Sequence, residues 1–572
     1  MKKTVLKLVM TALVAGMSVP LAVHAADEDL QKKIDKLSQE VADLKGSVQK
    51  VEDKSIGRWL KIGGEYRFRV DSLHGETKAY TDAFATFANA QSTMQSNFFN
   101  SAAVRDPSTG AVVIAAGTPA ASAFWQANLG QMMTFSQNMA NVKTVNQAYA
   151  FLGANQALLG GLMNFAVPVP SFKPKNESIY TNKFALELTA KPIQDITVHA
   201  KLGMYKTFGS QNDDQVTGNY FADRVGVFDG TLGHIPDDSL LNVDQAYATW
   251  SNILDQPIWF SVGRRPTTDG APSNLRLNRE RPGVGGVPSL MVNYAYDGMV
   301  LGYAPDIESL PGAYAKICYG RGYDSGLKTF SDNLKDMDMV GLIVTPIDTD
   351  PLRVWLQWNH AFDMTDFPVM QNTAFGNTQP VTNLGDADWV GLGAMSTLKK
   401  VGPGNLNFFT DLAMNITHPN SNVSSQAGFQ GLLTGAFFNP EAAEDKTGWA
   451  VSAGFRYDLP SRTKIGFEYN HGSKNWFTMA FASDDMWTAK VGTRGNVYEP
   501  YIIQELNLKP ISTYFAKAFF RLGYQYYDFE YTGSNNWVGA PKKISEIKPT
   551  DMMMMAPLSK AHNVYGTFEV LF

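Results

Sequence analysis

In residues 59–71 the stretch W-L-K-I-G-G-E-Y-R-F-R-V-D places Leu60, Ile62, Tyr66, Phe68 and Val70 on one side of an extended chain, and Lys61, Glu65, Arg67, Arg69 and Asp71 on the other. Consecutive ionised side chains on one face are not tolerated in a dry interior, where an unpaired charge is strongly destabilising. That face must meet water, and the opposite face is too apolar to do so. A strand that is wet on one side and oily on the other suits a wall between an aqueous lumen and lipid.

The pattern recurs. Phe184, Leu186 and Leu188 oppose Lys183, Glu187 and Lys191; Ile196, Val198, Leu202 and Met204 oppose His199 and Lys201. Leu352, Val354, Leu356 and Trp358 oppose Arg353, Gln357 and Asn359; Ala518, Phe520, Leu522 and Tyr524 oppose Lys517, Arg521 and Gln525. Candidate strands fall near 59–71, 180–191, 196–206, 241–250, 257–264, 289–303, 312–320, 336–345, 351–361, 386–399, 405–417, 447–458, 462–472, 499–509, 514–531 and 562–572. Short links alternate with long ones, as turns at one rim and loops at the other require. The expected fold class is all-β, a transmembrane antiparallel β-barrel of about sixteen strands, wide enough for an aqueous channel. Eighteen strands result if 289–304 and 475–490 each hide a hairpin.

In the last of these stretches Val564, Phe568, Val570 and Phe572 lie opposite Thr567 and Glu569. Such a strand would close the barrel against 59–71 and set Glu569 beside Glu65, Arg67 and Arg69. Phe568, Val570 and Phe572 then form an aromatic-ended assembly signal for the barrel-assembly machinery. Composition agrees with strands: 12% of residues are aromatic, 18% are charged and Gly numbers 49. Beyond residue 25 no apolar run reaches the length of a membrane-spanning helix, so lipid embedding requires a barrel.

Residues 1–25 read as a secretory signal peptide: Lys2, Lys3 and Lys7, an apolar middle, and Val23-His24-Ala25 at a small-residue cleavage site. Removing those three lysines takes the formal charge from −5 to −8, which offers nothing to nucleic acid. In a periplasmic segment spanning 26–55, Leu30, Ile34, Leu37, Val41, Leu44, Val48 and Val51 alternate spacings of four and three. This is a heptad seam of a short α-helical coiled coil. β-Branched a positions with leucine at d favour dimers, whereas trimeric porins with a periplasmic stalk supply the competing analogy. The expectation adopted is a homotrimer; a helix lying against its own barrel or the cell wall is the alternative. The barrel itself is assigned to 57–572.

Residues 75–177 break the strand pattern. They are poor in charge, rich in Ala, Asn, Gln, Ser, Met and Phe, and helix-prone between 121 and 165. This long insert occupies the first outer loop, and a loop of that size is functional or disordered. Three uses are open: a plug in the lumen, which is preferred, a lid over the mouth, or a contact surface for neighbouring protomers.

No catalytic site is expected. The eight histidines show no H-x-x-H or H-E-x-x-H spacing, and G-x-S-x-G is absent. No cofactor is implied: Cys-x-x-Cys-His is lacking, and the single cysteine, Cys318, reads as an inert strand residue. Asp363, Asp366, Asp386 and Asp388 are read as a solvated loop face in preference to a calcium site. The pore-lining candidates are Glu65, Arg67, Arg69, Lys183, Lys201, Arg264, Arg265, Arg353, Lys517, Arg521 and Glu569. Further inward charges are Lys316, Arg456, Lys464, Asp71, Glu187, Asp244, Asp411, Asp458, Glu468 and Glu505. Either they form opposing ladders that align an anionic or dipolar solute, or they pair and keep the wall wet.

The stretch S-V-G-R-R-P-T-T-D-G-A-P-S-N-L-R at 261–276, with I-G-G-E-Y-R-F-R-V-D at 62–71 and Y-T-N-K-F at 180–184, resembles a family of uncharacterised porin-like outer-membrane proteins of Gram-negative bacteria. The resemblance covers about residues 27–572 and implies a signal peptide, a short coiled coil and a large barrel. It implies no substrate. The expected function is passive diffusion of small hydrophilic solutes, with anion preference as the finer reading. Two alternatives stand beside it: a scaffold or sheath for a partner such as a cytochrome, and a transporter of hydrophobic compounds suggested by the Met- and Phe-rich insert.

Overall fold

The computed structural model describes residues 39–41, 59–209, 239–267, 269–283, 290–328, 334–368, 370–373, 376–480, 483–508 and 516–572. The expected leader and the seam residues Leu30, Ile34, Leu37, Leu44, Val48 and Val51 lie outside the described residues; Val41 sits in a short helical turn and is exposed.

Sixteen strands close into one barrel in which neighbours in sequence are neighbours in space. They are β1 Leu60–Thr77, β2 Lys175–Ile193, β3 Ile196–Thr207, β4 Asn242–Trp250, β5 Ile258–Pro266, β6 Ala295–Tyr303, β7 Tyr314–Tyr323 and β8 Met337–Asp348. The second half comprises β9 Leu352–Thr365, β10 Asn383–Val401, β11 Gly404–Pro419, β12 Lys446–Asp458, β13 Thr463–Gly472, β14 Gly495–Glu505, β15 Lys517–Phe529 and β16 Leu558–Leu571. Each answers to one stretch of alternating sequence. β16 closes on β1 with Arg67 opposite Glu569 and Phe68 opposite Phe568.

Eighteen strands are excluded. Residues 297–298 do not turn; β6 runs through them, pairing Asp297 with Arg264 on β5 and with Arg321 on β7. Residues 475–480 and 483–490 leave the wall and pack inside it, Phe477 on Trp389 and Asp484 on Arg67.

The outward face is apolar, as a lipid-facing wall requires. Ile317 is 61% exposed and Leu522 57%, with Leu301, Leu392 and Phe520 beside them in character. Towards the long-loop end the outer face turns polar, with Arg264 on Asp297, Arg321 on Asp338, and Asp388 between His360 and His418. Inside that end lies an apolar cluster: Trp389, Ile343 and Met337 of the wall pack against Met291, Trp476, Phe477 and Trp537 from loops.

The insert is largely helical, with α1 Ala83–Phe99, α2 Pro119–Met139, α3 Val145–Ala154 and α4 Gln156–Leu162. Asp82, Thr118 and Thr144 cap the first three through their side chains, as helix N-termini favour. The expectation that this insert plugs the lumen is not met by its packing. Its apolar residues join those of the long loops: Val142, Val145 and Ala148 cluster with Val423 and Phe429, and Phe135 meets Phe438 edge-on. Tyr149 donates to the Pro440 carbonyl at 2.8 Å, and the Thr81 amide donates to Asp551 at 2.9 Å. The insert is a cap on the long loops, since their aromatic side chains offer it the apolar surface that an ionic lumen does not.

Candidate functional site

The lumen is narrowed by two other segments, both of which start from the long-loop end. Residues 269–283, between β5 and β6, form a series of turns that cross from β5 to the opposite side of the barrel. Arg456 of β12 donates to the Leu275 carbonyl at 2.6 Å, and Arg521 of β15 to that of Arg276 at 2.8 Å. Asn278 bridges Lys464 of β13, at 2.6 Å, and Glu505 of β14, at 2.9 Å. Arg276 approaches Glu468 and Glu499 at 3.6 and 3.8 Å, and Arg279 pairs with Glu65 of β1.

The second segment lies between β13 and β14. Asp484 accepts two hydrogen bonds of 2.6 Å from the Arg67 guanidinium, and lies 3.7 Å from Arg69 and 3.8 Å from Arg521. Burial acts to raise the Asp484 carboxyl, and these three guanidiniums outweigh it, holding the group well below the usual carboxylate range. Lys490 is clamped between Glu468 and Glu499, and Gln525 donates to Asp485 at 2.7 Å. Trp487 seats on Leu73, Val497 and Tyr527 and donates to the His562 carbonyl.

Most of the pore-lining candidates are drawn into these latches. Glu65 lies 3.0 Å from Lys183 and 4.0 Å from Lys201, which also meets Glu187 at 3.3 Å. Arg69 binds Asp71 at 2.6 Å and stacks on Tyr565, while Arg521 binds Glu569 at 2.7 Å. Lys517 is 3.9 Å from Glu505, and Arg353 holds Asp348 at 2.6 Å. Pairing with neighbours is therefore the arrangement on this side of the lumen. Arg265 faces inward over the Tyr247 ring at 4.8 Å.

Arg264 is a correction. It does not line the pore: it shares the outward side of its strand with Val262 and binds Asp297 at 3.1 Å and the Val243 carbonyl at 3.0 Å. Strand alternation dictates this, and the polar rim accommodates the charge. The four aspartates considered for calcium go separate ways. Asp366 is buried on Ser424, Asp363 pairs with Lys335, Asp386 accepts the Asp363 amide, and Asp388 serves His360 and His418.

What the sequence reading missed is the pair of inward segments. Their signal was the charged run Arg276, Arg279, Glu280 and Arg281 inside a Pro- and Gly-bounded turn region, and the Asp484-Asp485 pair beside Trp487. Along the β5–β9 side an open cleft of about 330 Å³ persists, lined by Trp259, Tyr314, Lys316, Asp348, Arg353 and Trp355. Arg281 of the crossing segment borders it.

A closed, sixteen-stranded barrel with an apolar exterior, a charged interior and inward-folded loops is a transmembrane β-barrel of the outer-membrane, porin-like kind. Within that class the chain belongs to the family described as Protein of unknown function (DUF3373), whose model matches residues 173–572. No curated protein matches the sequence. Among solved structures, the chain is similar to the outer membrane channel DcaP of Acinetobacter baumannii, with TM-score 0.36, 10% identity, and 91% of this chain and 99% of that one covered. It is similar also to Pseudomonas putida OprB in its high-pH structure, with TM-score 0.37, 10% identity, and coverage of 93% and 97%. The trimer form of in-vitro folded OmpT, an outer membrane protein of Vibrio cholerae, shares 12% identity at TM-score 0.33, over 70% of this chain and 93% of that one.

Proposed function

We propose that this protein is a passive channel in the outer membrane of a Gram-negative bacterium, conducting small hydrophilic solutes with a preference for anions. The observation that carries the reading lies on the inner wall. Gln357 and Asn470 are buried there with both polar atoms of each amide unpaired by protein, and Asn359 and Asp411 each keep one such atom. Buried amides without protein partners are places for ordered water, which supports a hydrated path through the interior. Arg265, Lys316 and Arg353 stand on the β5–β9 side of the lumen, which supports the anion preference. At the long-loop end the apolar interior is used up in packing among Trp389, Phe477 and Trp537, which favours this reading over a hydrophobic-compound transporter.

The reading extends to topology and assembly. The short-turn end and the 26–55 segment lie in the periplasm, the seam from Leu30 to Val51 joins three copies, and Phe568, Val570 and Phe572 engage the barrel-assembly machinery. No catalytic step is assigned. The test is conductance of the purified protein in planar bilayers. Stable steps, with a reversal potential in a tenfold KCl gradient of the sign set by chloride, are expected; silence, or the sign set by potassium, overturns the proposal.

A further inference from the structure

An arginine cannot discard its charge by losing a proton, so a guanidinium taken out of water must find a negative partner. On the inner wall Arg67, Arg69, Arg353, Arg456 and Arg521 each hold a carboxylate oxygen at 2.6 or 2.7 Å. Arg265 departs from that rule. It is 7% exposed, and among the described residues no carboxylate lies within 4 Å of it. One of its N–H groups goes to the Ser261 hydroxyl, whose own proton is spent on the Ala248 carbonyl at 2.8 Å. Its Nε is buried with no acceptor.

Rings frame this charge. The guanidinium carbon lies 4.8 Å from the Tyr247 ring and 6.0 Å from the Trp259 ring. Gly263 stands between Ser261 and Arg265 on the same face, directly across from Tyr247, with φ at +125°. A Cβ there would meet the Tyr247 backbone at 2.9 Å, so the wall carries no side chain at that point. Tyr296, the cross-strand partner of Arg265, is buried as well. Trp259 also lines the open cleft, which gives the site an approach from the lumen. Ring faces offer an arriving anion few hydrogen bonds in place of its water, and the cost of removing that water rises with its charge. A guanidinium is itself weakly hydrated. The pairing favours an anion that carries one charge and holds its water loosely.

We propose that Arg265, set among Tyr247, Trp259 and Tyr296 on the lumen wall, is the centre of a binding site for a weakly hydrated monovalent anion. The proposal rests on the channel reading for the route by which the anion arrives. Its test is calorimetric titration of the detergent-solubilised full chain with thiocyanate, acetate and sulfate. Thiocyanate should bind about tenfold more tightly than either of the others. Arg265→Gln should remove that binding. Arg265→Lys, with its strongly hydrated ammonium, should keep an anion site and lose the preference for thiocyanate. The heat-dependent gel mobility of the barrel verifies the fold of each variant. Acetate or sulfate bound as tightly as thiocyanate, or an unchanged thiocyanate affinity in Arg265→Gln, overturns the proposal. If the Gln variant does not fold, the order of the three anions on the unaltered protein decides alone. Thiocyanate binding without bilayer conductance would remove the channel and keep the site; anion conductance without thiocyanate binding would do the reverse.

Discussion

At Asp484 one carboxylate meets three guanidiniums, those of Arg67 and Arg69 from β1 and Arg521 from β15. Removing one partner of a buried ionic cluster costs about 3–5 kcal/mol, because the remaining charges lose their compensation. Asp484→Asn should therefore release its segment, and hydrogen exchange over residues 483–492 should rise well above that of the unaltered protein. The pH dependence follows from the depressed carboxyl. A group whose folded pKa is lowered contributes stability above its ordinary pKa, and that contribution disappears as pH falls through the lowered value. Protection of the segment should thus persist through mild acid and be lost only below about pH 4, the ordinary carboxylate range. Loss of protection between pH 7 and pH 5 would contradict the latch.

Among the strands, a repeated pairing keeps the inner wall flat. Gly302 faces Trp259, Gly393 faces Trp355, Gly454 faces Phe409, Gly466 faces Tyr501 and Gly523 faces Tyr565, each as direct cross-strand partners. In each case a Cβ on the glycine would come within 3 Å of the ring. Gly393→Ala should cost about 1–3 kcal/mol by overpacking. Combined with Trp355→Leu it should cost less than the sum of the two single changes, as read from thermal unfolding in detergent. The strands themselves were legible because a period of two survives in sequence wherever one face meets lipid and the other meets water. The inward segments were not, because their partners are remote: Arg279 and Glu65 are 214 residues apart, and Arg67 and Asp484 are 417 apart. Nothing local in a turn-rich stretch such as 269–283 states which wall it will reach. Arg264 shows the converse case, where alternation with Phe260 and Val262 carried the answer and its charge suggested another.

For the molecule as a whole, the cap and the barrel are joined at a narrow neck. Tyr80 pairs with Val169, and the Asp82 amide donates to the Val167 carbonyl at 3.0 Å, so the two ends of the insert already touch. Replacing residues 83–166 by a short glycine linker should leave the heat-dependent gel mobility of the barrel intact. Exchange at residues 420–445 should rise, since Val423, Phe429 and Phe438 lose their cover. Failure of the barrel to form would show that the insert is needed for closure. The crossing segment draws together strands far apart in the chain. Its anchors come from β1 and from β12 to β15; Arg521 follows Arg276 by 245 residues. Until those strands stand opposite β5, the segment has no far bank to reach, so the passage narrows only where both walls are in place.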